Sequence, residues 1–152
     1  MALMQLITGD LREQHQQGHV IAVTRGGLVG KGGPCAMPSG TAKQAAQKFP
    51  HLPYILGDQI KKFGIHVFDL GNRIVSFPVE SSRFENPDLS IIDRSCKELV
   101  ALTIDKGWQH VVVPRPGCGQ GVLQWNDVQP ILEQQFNSRF HIIDGGYKYE
   151  TS

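Results

Sequence analysis

The sequence predicts an α/β fold built on a largely parallel or mixed sheet. Three observations carry this. Strand-like and helix-like stretches alternate along most of the 152 residues. Two short runs, His19 to Thr24 and His110 to Pro114, are apolar on both faces, as buried parallel strands are. Glycine-rich stretches follow both runs, where an α/β sheet places its ligand loops.

Taken in order, Leu3 to Thr8 reads as a first strand and HVIAVT as a second. Arg25 to Gly40 is dense in glycine and proline and reads as a long loop. A helix follows, capped by Ser39, with Ala42, Ala45, Ala46 and Phe49 on one face and Pro50 as its stop. His66 to Leu70 and Arg73 to Phe77 read as two strands around a turn at Gly71-Asn72. Asp88 caps the next helix. Its buried stripe is Leu89, Ile92, Cys96, Leu99 and Thr103, with Val100 and Ile104 beside it, and Gly107 ends it. After the HVVVP strand, Asn126 is expected to cap a helix through about Phe136, with Val128, Ile131 and Leu132 inside and Pro130 in its first turn. Phe140 to Ile143 is the last strand.

Bulk properties narrow the function. The length suits one domain, residues 1–152, which buries roughly 70% of its unfolded surface. A net charge of +1 without a basic run disfavours nucleic acid or an anionic membrane as the main partner. No stretch approaches a membrane span, and the start lacks a basic n-region. Three widely spaced cysteines point away from a disulfide framework and to a reducing compartment, the cytoplasm. Six histidines without HxH or HExxH spacing give no metal motif, and no cofactor is expected.

The chemistry gathers at strand ends. Gly9-Asp10 follows the first strand, RGGLVGKGG the second, and PRPGCGQG the HVVVP strand. Glycine reaches positive φ and admits a ligand close to the main chain. Successive N–H groups in such turns, with a helix start behind them, suit a phosphate or diphosphate. A tight turn that needs glycine only for its geometry is the competing reading. Neither loop is a Walker A motif, since Lys31 is followed by Gly32, and GCGQG does not match GxGxxG. Cys118 has no histidine brought to it by any pattern, so a small turn residue is expected rather than a nucleophile.

These motifs resemble the macrodomain family, three-layer α/β/α proteins that bind ADP-ribose. The similarity runs over nearly the whole chain. It rests on Gly9-Asp10-Leu11, on Val29-Gly30-Lys31-Gly32, and on Pro114-Arg115-Pro116-Gly117-Cys118-Gly119 followed by Leu123-Gln124-Trp125. The subgroup it resembles is the terminal-ADP-ribose glycohydrolases, including macrodomain antitoxins acting on DNA. The resemblance implies a central mixed, largely parallel sheet and roles by position. Asp10 would accept from the adenine amino group, beside the Leu11 amide. Gly30, Lys31 and Gly32 would line one side of the diphosphate. Gly117, Cys118, Gly119, Gln120, Gly121 and Val122 would wrap the other side and the distal ribose. Thr24 and Arg25 would reach that ribose, and Tyr147 would stack on adenine. The implied partner is ADP-ribose or an ADP-ribosylated macromolecule, with nucleic acid bound only when ADP-ribosylated.

Two departures bear on catalysis. The lysine that attacks C1″ in this subgroup falls at Glu80, and its acid/base aspartate at Gly121. A carboxylate forms no Schiff-base adduct, and glycine transfers no proton. Binding of ADP-ribose is the leading reading. The alternative is hydrolysis, of ADP-ribose from a target or of ADP-ribose 1″-phosphate, with Glu80 as base. The Pro34 to Gly40 stretch is an insertion relative to the family pattern, placed where it would cover the ligand or alter its choice.

Overall fold

The computed structural model describes residues 3–24, 40–81, 86–118 and 123–144. The chain runs β1 (Gln5–Thr8), α1 (Leu11–Gln16), β2 (Val20–Thr24), α2 (Gly40–Lys48), α3 (Leu52–Phe63), β3 (Ile74–Phe77), α4 (Leu89–Lys106), β4 (Val111–Pro114), α5 (Trp125–Gln135) and β5 (Phe140–Asp144). The strands form one sheet in the order β1-β5-β4-β2-β3, and every neighbouring pair is parallel. The antiparallel character expected of a mixed sheet survives in two isolated bridges, Leu3–Asn137 and Asp69–Val75.

Side chains alternate across each strand, so the sheet has two cores. Val111 and Val113 of β4 pack with Ile92, Cys96 and Leu99 of α4 and Val128 and Leu132 of α5. Val112 points the other way, into a cluster with Leu11 of α1, Ala42 and Ala45 of α2, and Leu52 and Leu56 of α3. This is the three-layer α/β/α arrangement. Covering on both faces explains why β2 and β4 read as unbroken apolar runs.

α4 follows its sequence signals. Asp88 Oδ1 accepts from the Ser90 backbone N–H at 2.7 Å, and Gly107 closes the helix in the left-handed region at φ 69°. Ile104, expected beside the buried stripe, is 65% exposed, while Thr103 of the same turn is buried.

Other expectations are corrected. The helix α3 stands where no element was read. Leu52, Leu56 and Ile60 recur at helical spacing there, but Pro50, Pro53 and Gly57 resemble breakers. Pro53 lies in the first turn, where no N–H is required. His66 to Leu70 is not a full strand. It contributes one bridge to β3 and two ladder bonds, Leu70 N–H to Ile74 O and Ser76 N–H to Phe68 O. The turn between them places Gly71, Asn72 and Arg73 all at positive φ. Asn126 does not cap α5; the helix starts at Trp125 after Gln124, whose side chain makes no capping bond. Pro130 is therefore inside the helix rather than in its first turn. The backbone bond it forfeits would have ended on Asn126, which is exposed and open to water. The Ser39 cap and the Arg25 loop lie outside the described residues.

At the amino end of the sheet three imidazoles stack across neighbouring strands. His19 and His110 have ring centroids 3.5 Å apart, and His110 and His141 3.7 Å apart at an interplanar angle of 3°. Parallel rings cannot share a metal ion lying in both ring planes, and among the described residues no group of His, Cys, Asp or Glu is placed to hold one. No helix among them is long and apolar enough to cross a membrane.

Candidate functional site

All five strands of a parallel sheet end on one side, so their carboxyl ends form a continuous edge. Along it, in spatial order, stand Thr8, Asp144, Pro114, Thr24 and Phe77. Four inter-strand gaps of about 4.8 Å make this edge about 19 Å long. Gly9 and Asp10 lie at one end, Pro78 to Ser81 at the other, and the glycine turn after β4 lies between them.

Asp10 is the N-cap of α1. Its Oδ1 accepts from the Arg12 backbone N–H at 2.8 Å, and its Oδ2 accepts from Arg12 Nη2 at 3.0 Å. Partial burial pushes its carboxyl upward, but Arg12's hydrogen bonds and charge outweigh this and hold it below the ordinary aspartate value. Asp10 is thus an ionised, acceptor-only group with 35% of its side chain exposed. Its capping duty and a ligand duty are compatible, because a carboxylate offers about four lone-pair sites. The Leu11 side chain turns away from the carboxyl edge into the core, which leaves its amide for a ligand on that edge.

The turn after β4 is braced from several sides. Arg115 Nη2 lies 3.5 Å from Asp144 Oδ2 of β5, and the guanidinium carbon sits 4.6 Å from the Trp125 ring centroid. Gly117 has φ 73°, and a Cβ placed on it would fall 2.8 Å from Leu123 Cδ1 and 3.1 Å from Pro87 Cβ. Cys118 N–H donates to Arg115 O at 3.3 Å, closing the turn. The spaced residues of the P-R-P-G-C-G and L-Q-W motifs therefore touch one another: Trp125 meets Arg115, and Leu123 covers Gly117.

At the opposite end, the segment after β3 is tied to α4. Buried Ser95 donates its hydroxyl to Pro78 O at 2.7 Å, and Asp88 N–H donates to Val79 O at 2.9 Å. The segment these bonds hold carries part-buried Glu80 and follows Phe77, the β3 partner of Thr24 at the end of β2. Asp10 and Glu80 thus mark the two ends of one edge.

No family model matches the chain. Among curated proteins, the ADP-ribose glycohydrolase OARD1 from Bos taurus is 26% identical over 105 residues, covering 68% of this chain and 69% of that protein. The Homo sapiens counterpart is 25% identical over 105 residues. Among solved structures, the macrodomain of Mycobacterium tuberculosis DarG superposes with a TM-score of 0.71 at 21% identity, covering 95% of this chain and 99% of that one. The chain has the macrodomain fold. The macrodomain of Thermus aquaticus DarG is similar too, with a TM-score of 0.72 at 18% identity and the same coverage. Thermosipho africanus DarTG, solved in complex with ADP-ribose, matches with a TM-score of 0.68 at 18% identity. That match covers 93% of this chain and 43% of that one.

Burial holds both described thiols toward their protonated form. Burial pushes the Cys118 thiol up, with Arg115 opposing only in part, and its Sγ lies 3.4 Å from Pro116 O. Burial, with a contribution from Asp93, pushes Cys96 up to about 12. Asp10, Leu11, Thr24, Glu80, Gly117 and Cys118 all fall at the carboxyl edge of the macrodomain sheet. Arg25, Gly30, Lys31, Gly32, Gly119, Gln120, Gly121, Val122 and Tyr147 lie outside the described residues. Sequence reasoning gave no role to Arg115, Trp125, Ser95 or Asp144, which brace the edge. Two of them were visible as fixed letters of the quoted motifs; Ser95 and Asp144 carried no local signal.

Proposed function

We propose that this macrodomain, taken over residues 1–152, binds ADP-ribose or a derivative along the carboxyl edge, either free or attached to a macromolecule. The observation that carries the reading is the placement of Asp10, the Gly117 turn and Glu80 along one edge of about 19 Å. That is room for a purine, a diphosphate and two riboses laid end to end. Asp10 takes the adenine amino group beside the Leu11 amide, and Tyr147 stacks on the base. Gly30, Lys31 and Gly32 line the diphosphate opposite the stretch from Gly117 to Val122, and Thr24 and Arg25 reach the distal ribose. The ADP-ribose complex of a structurally similar DarTG supports this reading.

Calorimetry tests it. Asp10→Ala is expected to weaken ADP-ribose about tenfold or more, the loss typical of a hydrogen bond to a charged group. Ribose 5-phosphate, which has no base, should bind the variant as it binds the parent. Equal losses for both ligands would remove Asp10 from base recognition, and no heat with ADP-ribose would reject the reading.

A second reading, hydrolysis, is favoured by the position of Glu80 at the distal end and by the names of the curated relatives. Without the subgroup's lysine and aspartate, Glu80 would act as general base, taking a proton from a water that attacks C1″ as its bond to the target breaks, or attacks the 1″-phosphate as the P–O bond to the ribose breaks, the leaving atom taking a proton from solvent. Under it, Glu80→Gln lowers release of ADP-ribose from modified protein or DNA by about 100-fold or more while ADP-ribose affinity stays within a few-fold. Release unaffected by the substitution would exclude Glu80 as the base.

A further inference from the structure

A crevice with a volume of about 50 Å³ opens between α1 and α2, on the sheet face away from α4 and α5. Ile21 and Ile74 come up from the sheet, Leu11 and Ala45 from the two helices, and most of the exposed wall is apolar. Its charged lining residues are Arg12 and Lys48; among the described residues no Asp or Glu lines it. His15 is buried in it, with Nε2 2.6 Å from the Asn72 carbonyl oxygen. A carbonyl only accepts, so Nε2 carries the proton and Nδ1 is left as an acceptor. Burial first, then the charges of Lys48 and Arg73, push His15 down against the pull of the Asn72 carbonyl, so the ring is neutral at pH 7 and the field around it is positive. The Phe49 ring meets His15 edge-on at 5.8 Å, and Lys48 Nζ stands 5.5 Å from the same ring.

A narrow apolar slot in a positive field selects a small hydrophobic body with an anionic end. We propose that the α1–α2 crevice is a second ligand site, for a short-chain alkyl carboxylate. The chain lies against Leu11, Ile21, Ala45 and Ile74, and the carboxylate sits at the mouth on Lys48. The site is coupled to the carboxyl edge through Arg12, which lines the crevice and also holds Asp10 at 3.0 Å. A carboxylate that draws Arg12 toward the crevice loosens its hold on Asp10. By linkage the two ligands then change each other's affinity by the same factor. This coupling, unlike the site itself, rests on the ADP-ribose reading.

Titration of the ¹⁵N-labelled full chain with hexanoate tests the site. Saturable shifts at millimolar ligand are expected at Leu11, Arg12, His15, Ala45 and Lys48, and none with hexylamine. Ala45→Leu, which fills the slot, and Lys48→Glu, an exposed change that leaves the core intact, should each weaken hexanoate about tenfold or more. Non-saturating shifts, equal shifts with hexylamine, or affinity unchanged by Lys48→Glu would overturn the site. Repeating the ADP-ribose titration with hexanoate present tests the coupling, and an unchanged affinity would overturn it. Failure to bind ADP-ribose at all would fall on the edge reading alone, since the hexanoate titration is read without it.

Discussion

Gly117→Ala is expected to destabilise the domain by about 2–4 kcal/mol and to abolish measurable ADP-ribose binding at concentrations that saturate the parent. Two costs add. At φ 73° an alanine sits in the left-handed region, worth about 1–2 kcal/mol against glycine. Its Cβ would stand 2.8 Å from Leu123 Cδ1 and 3.1 Å from Pro87 Cβ. Leu123 can swing, but Pro87 Cβ belongs to a rigid ring next to the Asp88 cap, so relief has to come from moving the turn itself. That turn is held by Arg115 between Asp144 and Trp125, so a shift at Gly117 displaces the amides on either side. Urea unfolding reads the first effect and calorimetry the second. Cys118→Ala is the control: it keeps the backbone N–H that closes on Arg115 O and should leave affinity within about twofold. If Cys118→Ala is as damaging as Gly117→Ala, the thiol matters in a way the geometry of the turn does not provide.

Acid is expected to weaken the fold between pH 7.5 and pH 5, before most carboxylates titrate. Burial, with the neighbouring charges of His141 and His19, pushes His110 from the ordinary 6.5 down to about 4, and its Nε2 is buried without a hydrogen-bond partner. The unfolded chain therefore takes up a proton as pH falls through 6.5 that the folded chain refuses until about 4. Stability is fully present above the unfolded value and is lost as pH falls toward the folded one. Solvent reaches part of the ring and screens the effect, leaving about 1 kcal/mol by pH 5, or a few degrees in Tm. Thermal melts at the two pH values measure it. His15 and His141 are pushed down by burial as well, so His110→Gln should shrink the acid loss without removing it. An acid loss as large in His110→Gln as in the parent would show that the stack is not its source.

Much of the fold was legible because its signals are local. β2 and β4 are unbroken apolar runs, and α4 carries its cap, its stripe and its left-handed glycine within twenty residues of chain. α3 was hidden by prolines and a glycine that the helix accommodates at its first turn and on its buried side. The sequence sets the start of α5 two residues late, because Asn126 is a good capping residue by type, while the chain turns at Gln124 without a side-chain cap. Of the candidate site, the position of Asp10, Thr24, Glu80, Gly117 and Cys118 beyond strand ends was legible, and what they bind was not. Glycines at strand ends and an aspartate before an amphipathic turn have a local reason to be where they are, and the long motif after β4 tied them to a family.

The sequence by itself determined the class of the domain, most of its elements and the glycines that follow its strands, because periodicity, capping and glycine conformation act over a few residues. Only the tertiary structure decided the order β1-β5-β4-β2-β3. That order sets Asp10 and Glu80 at opposite ends of one edge, joins Arg115 to Asp144, stacks His19 on His110 on His141, and leaves the crevice between α1 and α2. Those pairings depend on which faces bury each other across the sheet, and residues tens of positions apart carry no local trace of it.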